Sequence, residues 1–285
     1  MIEPYLRELE AELGAVGIRG SLGRRILAET ADHLHESGDA TSFGEPKLVA
    51  FRFADELATS GARRVAFTSF LALAPAGIAY TVLVGLIRTW PDIASARLLP
   101  VAIGAALAMV LAPQVAFAAG LLTVAQAWRL RSETSASAAE VTLLRRRAAV
   151  ALGSGVAAFA GIAVYAYEYS SGLAGWWATT AFVVSGAALI PIGGAAVALA
   201  RNAQVRPQAA GSAGDVFDDV APIVDRIPLN LRGRPWRFCL LVATAVAVAA
   251  LIGGGLDEGP RNAVAEFVAV CVAFAALGRF LGLRH

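Results

Sequence analysis

Glu29 and His33 stand four residues apart in "RRILAETADHLHES", the spacing at which side chains meet on a helix surface. Imidazole titrates near neutrality, so the pair could form a pH-sensitive contact. The same spacing serves equally for a helix-stabilising or packing pair. His33 and His35 are two apart and point to different sides of a helix, which disfavours shared metal chelation. Cys239 and Cys271 lie in apolar segments, read as small core hydrophobes, and no disulfide framework is expected. "GSGVAA" at 153–158 matches a dinucleotide fingerprint in letters only. No strand precedes it and no acid follows about 20 residues later. Gly153, Gly155 and Gly161 are instead expected to let helices approach closely. No G-x-S-x-G, Walker or zincin motif is present. These residues point to no catalytic group, no cofactor and no metal.

Three polar residues fall in apolar surroundings. Glu266 is a functional candidate because intramembrane carboxylates are costly. It sits about a turn from the end of its segment, so it fits either an interfacial anchor reaching water or an ion or substrate group. Gln114 reads as an inter-helix hydrogen bonder. Gln126, at the end of the same segment, is expected to reach water. A fourth feature is "DVFDDVAPIVDRI" at 215–227. Val216, Val220, Ile223 and Ile227 form a helical stripe flanked by Phe217 and Val224, with the aspartates off it. An acidic amphipathic segment suits a protein surface better than an anionic leaflet. It could dock on the N-terminal head, opposite Arg24, Arg25 and Arg52, or serve as a linker.

The elements that position these residues are mostly membrane helices. Of the 285 residues, 57% are hydrophobic and 16% charged, against about 25% charge in soluble domains; mean hydropathy is +0.63. Residues 1–64 hold eight Lys/Arg and eleven Asp/Glu, a polar head on an apolar body. With about 20 apolar residues needed per span, six spans are predicted, at 65–87, 98–127, 148–167, 177–200, 238–255 and 263–281. Inner loops 128–147 and 201–237, with the C-terminal end, carry thirteen arginines; the outer loops carry three. The positive-inside rule then puts both termini in the cytoplasm. Pro75, Pro113 and Pro191 fall inside spans, tolerable where neighbours take up the freed carbonyl. The acidic N-terminus is not a signal peptide, so the first span is expected to direct insertion. Three similar basic-flanked hairpins fit either internal triplication or the positive-inside pattern alone. No basic groove for nucleic acid is evident.

In the head, the spacing predicts a first helix with Tyr5, Leu6, Leu9 and Leu13 inward. Ser21 is the expected cap of a second, with Leu22, Ile26, Leu27 and Leu34 inward and Gly38-Asp39 ending it. A third starts at Glu45-Pro46 with Leu48, Val49, Phe51 and Phe53. About sixty residues make a marginal core. "YLRELEAEL", "RRILAETADHLHES" and "SFGEPKLVAFRFADELA" together resemble the HAAS-type signalling domain and the similar permease-prefix domain. Tyr5, Leu6, Leu9, Glu29, His33, Leu34, Phe43, Gly44 and Pro46 carry the resemblance, over roughly residues 3–60. It implies a bacterial inner-membrane protein with no known enzymatic chemistry. Its partner would be a PadR-like transcription regulator or, for a permease head, an ABC-type ATPase. The expected protein is therefore all-α: a polytopic six-span membrane protein with a cytoplasmic helical head and a non-enzymatic signalling or regulatory role. A permease subunit or small secondary transporter is the alternative. Candidate partner-interface residues are Glu29, His33, Phe43, Phe217, Val220 and Ile223; candidate intramembrane polar residues are Gln114 and Glu266.

Overall fold

The computed structural model describes residues 2–37, 43–86, 96–169 and 175–214, with Asp218, Asp219, Ala221, Thr244 and Val248. Apart from Thr244 and Val248, spans five and six lie outside the described residues, as do Phe217, Val220, Ile223 and Glu266. The described chain is all-helical: α1 (Ile2–Ala15), α2 (Gly20–Ser37), α3 (Pro46–Gly85), α4 (Leu99–Arg129), α5 (Ala138–Glu168) and α6 (Gly175–Asn202). A single 3-10 turn, Leu130–Ser132, follows α4. Four helices, α3 to α6, are long and apolar enough to cross a membrane. They overlap the first four predicted spans.

Helices α1, α2 and the first turns of α3 form the head. Leu9, Leu13, Val16, Ile18, Ile26, Ala50 and Ala54 make its core, with Tyr5, Phe51, Phe53 and Leu57 packed at its edge. One expectation for an inward residue fails. Leu22 is 41% exposed, because Gly23 takes the inward position against the Ile18 backbone. Helix α2 begins at Gly20, so Ser21 lies inside its first turn and does not cap it. Helix α3 starts as expected, with Glu45 at the N-cap position and Pro46 first, where a missing N–H costs nothing.

Helix α3 is 40 residues long, about 60 Å at 1.5 Å per residue. It runs without a break from the head core into the bundle. Ala50 and Ala54 belong to the head; Ala58, Ala62 and Ala66 pack with Ala127, Leu130, Val141 and Leu144; Ala72, Ala76, Tyr80 and Leu83 join the bundle core. This near-regular alanine stripe at i, i+4 lets neighbouring backbones come close, as is usual where lipid gives no hydrophobic drive to association.

The proline in α4 shows how a spanning helix tolerates one. Pro113 has no N–H to offer the Met109 carbonyl one turn back. The Tyr80 hydroxyl donates to that carbonyl at 2.5 Å, and the Tyr80 ring meets Phe159 edge-on. Gly155 lies against Leu73 and Ile192, and Gly161 against Ala105, Ala108 and Met109, so both serve helix contact as predicted. At Gly153 an added Cβ would meet nothing among the described residues.

Candidate functional site

Where α4 and α5 emerge from the bundle on the head side, five charged and polar side chains converge. Asp219 is their centre, with a fully buried side chain. Its Oδ1 accepts from Arg129 Nε at 2.9 Å, and its Oδ2 accepts from Arg147 Nη1 at 2.5 Å. Arg147 is also fully buried and donates to Gln126 Oε1 at 2.9 Å. Gln126 in turn donates through Nε2 to the Glu140 carbonyl at 3.1 Å. Arg129 Nη2 reaches Glu140 Oε1 at 2.8 Å. Two guanidiniums thus face two carboxylates, and the cluster is formally neutral. Burial raises the Asp219 carboxyl above its ordinary value, against the pull of Arg147 and Arg129.

The local sequence sets this geometry. "SASAAE" holds a capping box: Ser137 Oγ accepts from the Glu140 amide, and Glu140 Oε2 accepts from the Ser137 amide. That fixes the first turn of α5 and aims the other Glu140 oxygen at Arg129. Arg147 lies nine residues beyond Ala138 on the same helix, about 14 Å along its axis.

A second polar belt runs along α3. Asp55, Thr59 and Arg63 are spaced by four and share one face. Asp55 Oδ1 accepts from the Gln208 amide at 2.5 Å and the Ala209 amide at 3.0 Å. Thr59 Oγ1 accepts from the Ala136 amide at 2.9 Å. Arg63 donates to the carbonyls of Leu130 and Arg131 at 3.0 and 2.8 Å, satisfying groups that the end of α4 leaves without helical partners. Arg145 treats the end of α6 in the same way, donating to the carbonyls of Asn202 and Val205 at 2.7 and 3.1 Å.

These bonds hold residues 203–214 as an extended strap against the head and the α4–α5 connection. The Arg206 amide donates to the Val16 carbonyl at 2.9 Å. Val205 packs on both the head core and the junction core. Gly17, at φ 91°, lies directly against the Gln204 carbonyl; it supplies a left-handed turn and leaves no room for a side chain. The Ala138 amide donates to the Ala209 carbonyl at 2.9 Å, and Ser137 Oγ lies 3.3 Å from the Ser212 carbonyl.

Several expected placements change. Glu29 pairs with Arg25 at 2.8 Å and not with His33, which lies 4.0 Å from Glu36 and beside the Phe43 ring, centroids 6.5 Å apart. Glu29 and His33 are exposed and Phe43 half-buried, so the three share the outer side of the head. Gln126 does not reach water: it is fully buried, held by the cluster. Asp219 faces Arg129 and Arg147 on the bundle, not Arg24, Arg25 or Arg52 on the head. Gln114 is half-buried, and its Oε1 is buried without a hydrogen-bond partner among the described residues.

Sequence reasoning missed Glu168 as well. At the far end of the bundle this buried carboxylate accepts from the Leu98 amide at 2.8 Å, at the start of α4, where exposed amides and the helix dipole favour negative charge. Its place one residue beyond the predicted span hid it. Among the described residues no group of three or more His, Cys, Asp or Glu comes together to hold a metal. The cluster is built of salt bridges and amide hydrogen bonds that fix the relative position of three chain segments. No family model matches the chain, and neither a curated protein nor a solved structure is significantly similar to it.

Proposed function

We propose that the chain is a non-enzymatic signalling or regulatory protein of a bacterial inner membrane, with both termini cytoplasmic, whose head binds a cytoplasmic protein partner. The single observation that supports this reading is α3, one helix that belongs to the head core at one end and the bundle core at the other. A head built on such a mast follows any tilt or shift of the bundle, which is what a relay of state across the membrane surface requires. The resemblance of residues 3–60 to HAAS-type domains suggests a PadR-like transcription regulator as the partner. Glu29, His33 and Phe43 offer an exposed patch on the head for it.

The test is co-purification of full-length protein from membranes with a candidate PadR-like regulator, and separately with an ABC-type ATPase. Retention of the regulator, lost at least tenfold on combining Glu29→Ala, His33→Ala and Phe43→Ala with helicity unchanged, is the expected outcome. Retention of the ATPase alone would replace this reading with the permease one. A specific observation favours that second reading: the Gln114 oxygen in the middle of α4, buried and without a hydrogen-bond partner among the described residues, is a polar point where a transporter would need one. Under the regulatory reading Gln114→Leu leaves partner binding unchanged.

A further inference from the structure

The Asp219 cluster costs more than a simple brace would need. A buried ion pair is a poor source of net stability, because desolvation offsets its attraction; its best-attested use is to fix one register against others. Here the register at stake is that of the chain leaving α6. The strap at 203–214 has little apolar anchorage, with Val205 its one residue in the described cores. It is held mainly by backbone hydrogen bonds to Asp55, Val16 and Ala138. Segments with few buried apolar contacts open at low free energy.

Five residues beyond the strap, Asp219 sits between two arginines. The hydrogen bonds run back from it without a gap: Asp219 to Arg129, Arg129 to Glu140, Glu140 to Ser137, with Ser137 Oγ beside the Ser212 carbonyl of the strap. The Arg129 side chain also lies against Gly214, where an added Cβ would come within 3.1 Å of it.

We propose that the notch formed by Arg129, Arg147 and Gln126 is a receptor for one carboxylate, and that Asp219 is its removable occupant, a latch that holds the strap on the head. This rests on the regulatory reading above and supplies its switching element. The cluster is suited to release. Arg129 has a second carboxylate in Glu140, so it stays paired when Asp219 leaves, and Arg147 keeps the Gln126 carbonyl. With Asp219 out, the strap loses the charged anchor beyond its end, and the bonds to Asp55, Val16, Ala138 and Arg145 are left to hold it.

Hydrogen exchange on full-length protein in nanodiscs tests this without any partner, so its failure is distinguishable from failure to find one. Asp219→Asn should speed exchange of the Arg206, Gln208 and Ala209 amides at least tenfold, while α4 and α5 keep their protection. Should that variant not fold, the apolar pair Asp219→Leu with Arg147→Met removes the charges together and should give the same strap-specific acceleration. Unchanged strap exchange in both latch variants would overturn the proposal, as would equal acceleration throughout the bundle.

Discussion

The middle of the bundle and its head-side junction solve the same packing problem with different chemistry. In the middle, contact is made by alanines and by Gly155 and Gly161, with few polar bonds between helices. At the junction, guanidiniums finish α4 and α6, Asp55 and Thr59 bind backbone amides of other segments, and an ion cluster is buried. In lipid the helical backbone satisfies itself and only shape is left to optimise. Where the chain turns back, orphan carbonyls and loop amides need partners, and arginines at the helix ends supply them. Arg63, Arg129, Arg145 and Arg147 are therefore structural parts of the junction.

That contrast can be broken from either side. The largest effect is expected at the junction: Asp219→Ala leaves Arg147 without its buried carboxylate and should cost about 3–5 kcal/mol, read as a lower midpoint in denaturant unfolding in detergent. In the middle, Gly161→Leu must push Ala105, Ala108 and Met109 aside and should cost about 1–3 kcal/mol by the same measurement. Tyr80→Phe removes the donor to the Met109 carbonyl freed by Pro113, at about 0.6–1.7 kcal/mol for a hydrogen bond inside a membrane bundle. Ser137→Ala removes the α5 cap for about 0.5–2 kcal/mol, and unlike Tyr80→Phe it should also speed exchange in the strap. The smallest change is Gly153→Ala. It meets nothing among the described residues and should leave stability unchanged or raise it by up to about 1 kcal/mol through helix propensity.

Much of this architecture was legible in the sequence, and the misses have physical reasons. Hydropathy placed the first four spans because about 20 apolar residues in a row admit few other structures. Leu9, Leu13, Ile26 and Leu34 were legible from helical spacing. Leu22 was not, because in a head packed on Gly23, Ala50 and Ala54 the larger residue is not always the inner one. The α5 capping box was available in "SASAAE", as was the four-residue spacing of Asp55, Thr59 and Arg63. Each was obscured by reading those stretches as loop or lead-in. Arg147 reads as a loop arginine in the sequence, since nothing local separates a buried guanidinium from an interfacial one. Its partner is 72 residues away, and among four aspartates in 215–225 no local feature marks Asp219.

The central claim is that head and bundle are joined by one uninterrupted helix, and amide exchange along α3 in the full-length protein in nanodiscs tests it most directly. The account predicts slow exchange without a gap from Ala54 through Ala72, at least tenfold slower at residues 58–64 than in the strap at 203–214. Fast exchange confined to residues 58–64, equal to that of the strap, would reveal a hinge between head and membrane and contradict it.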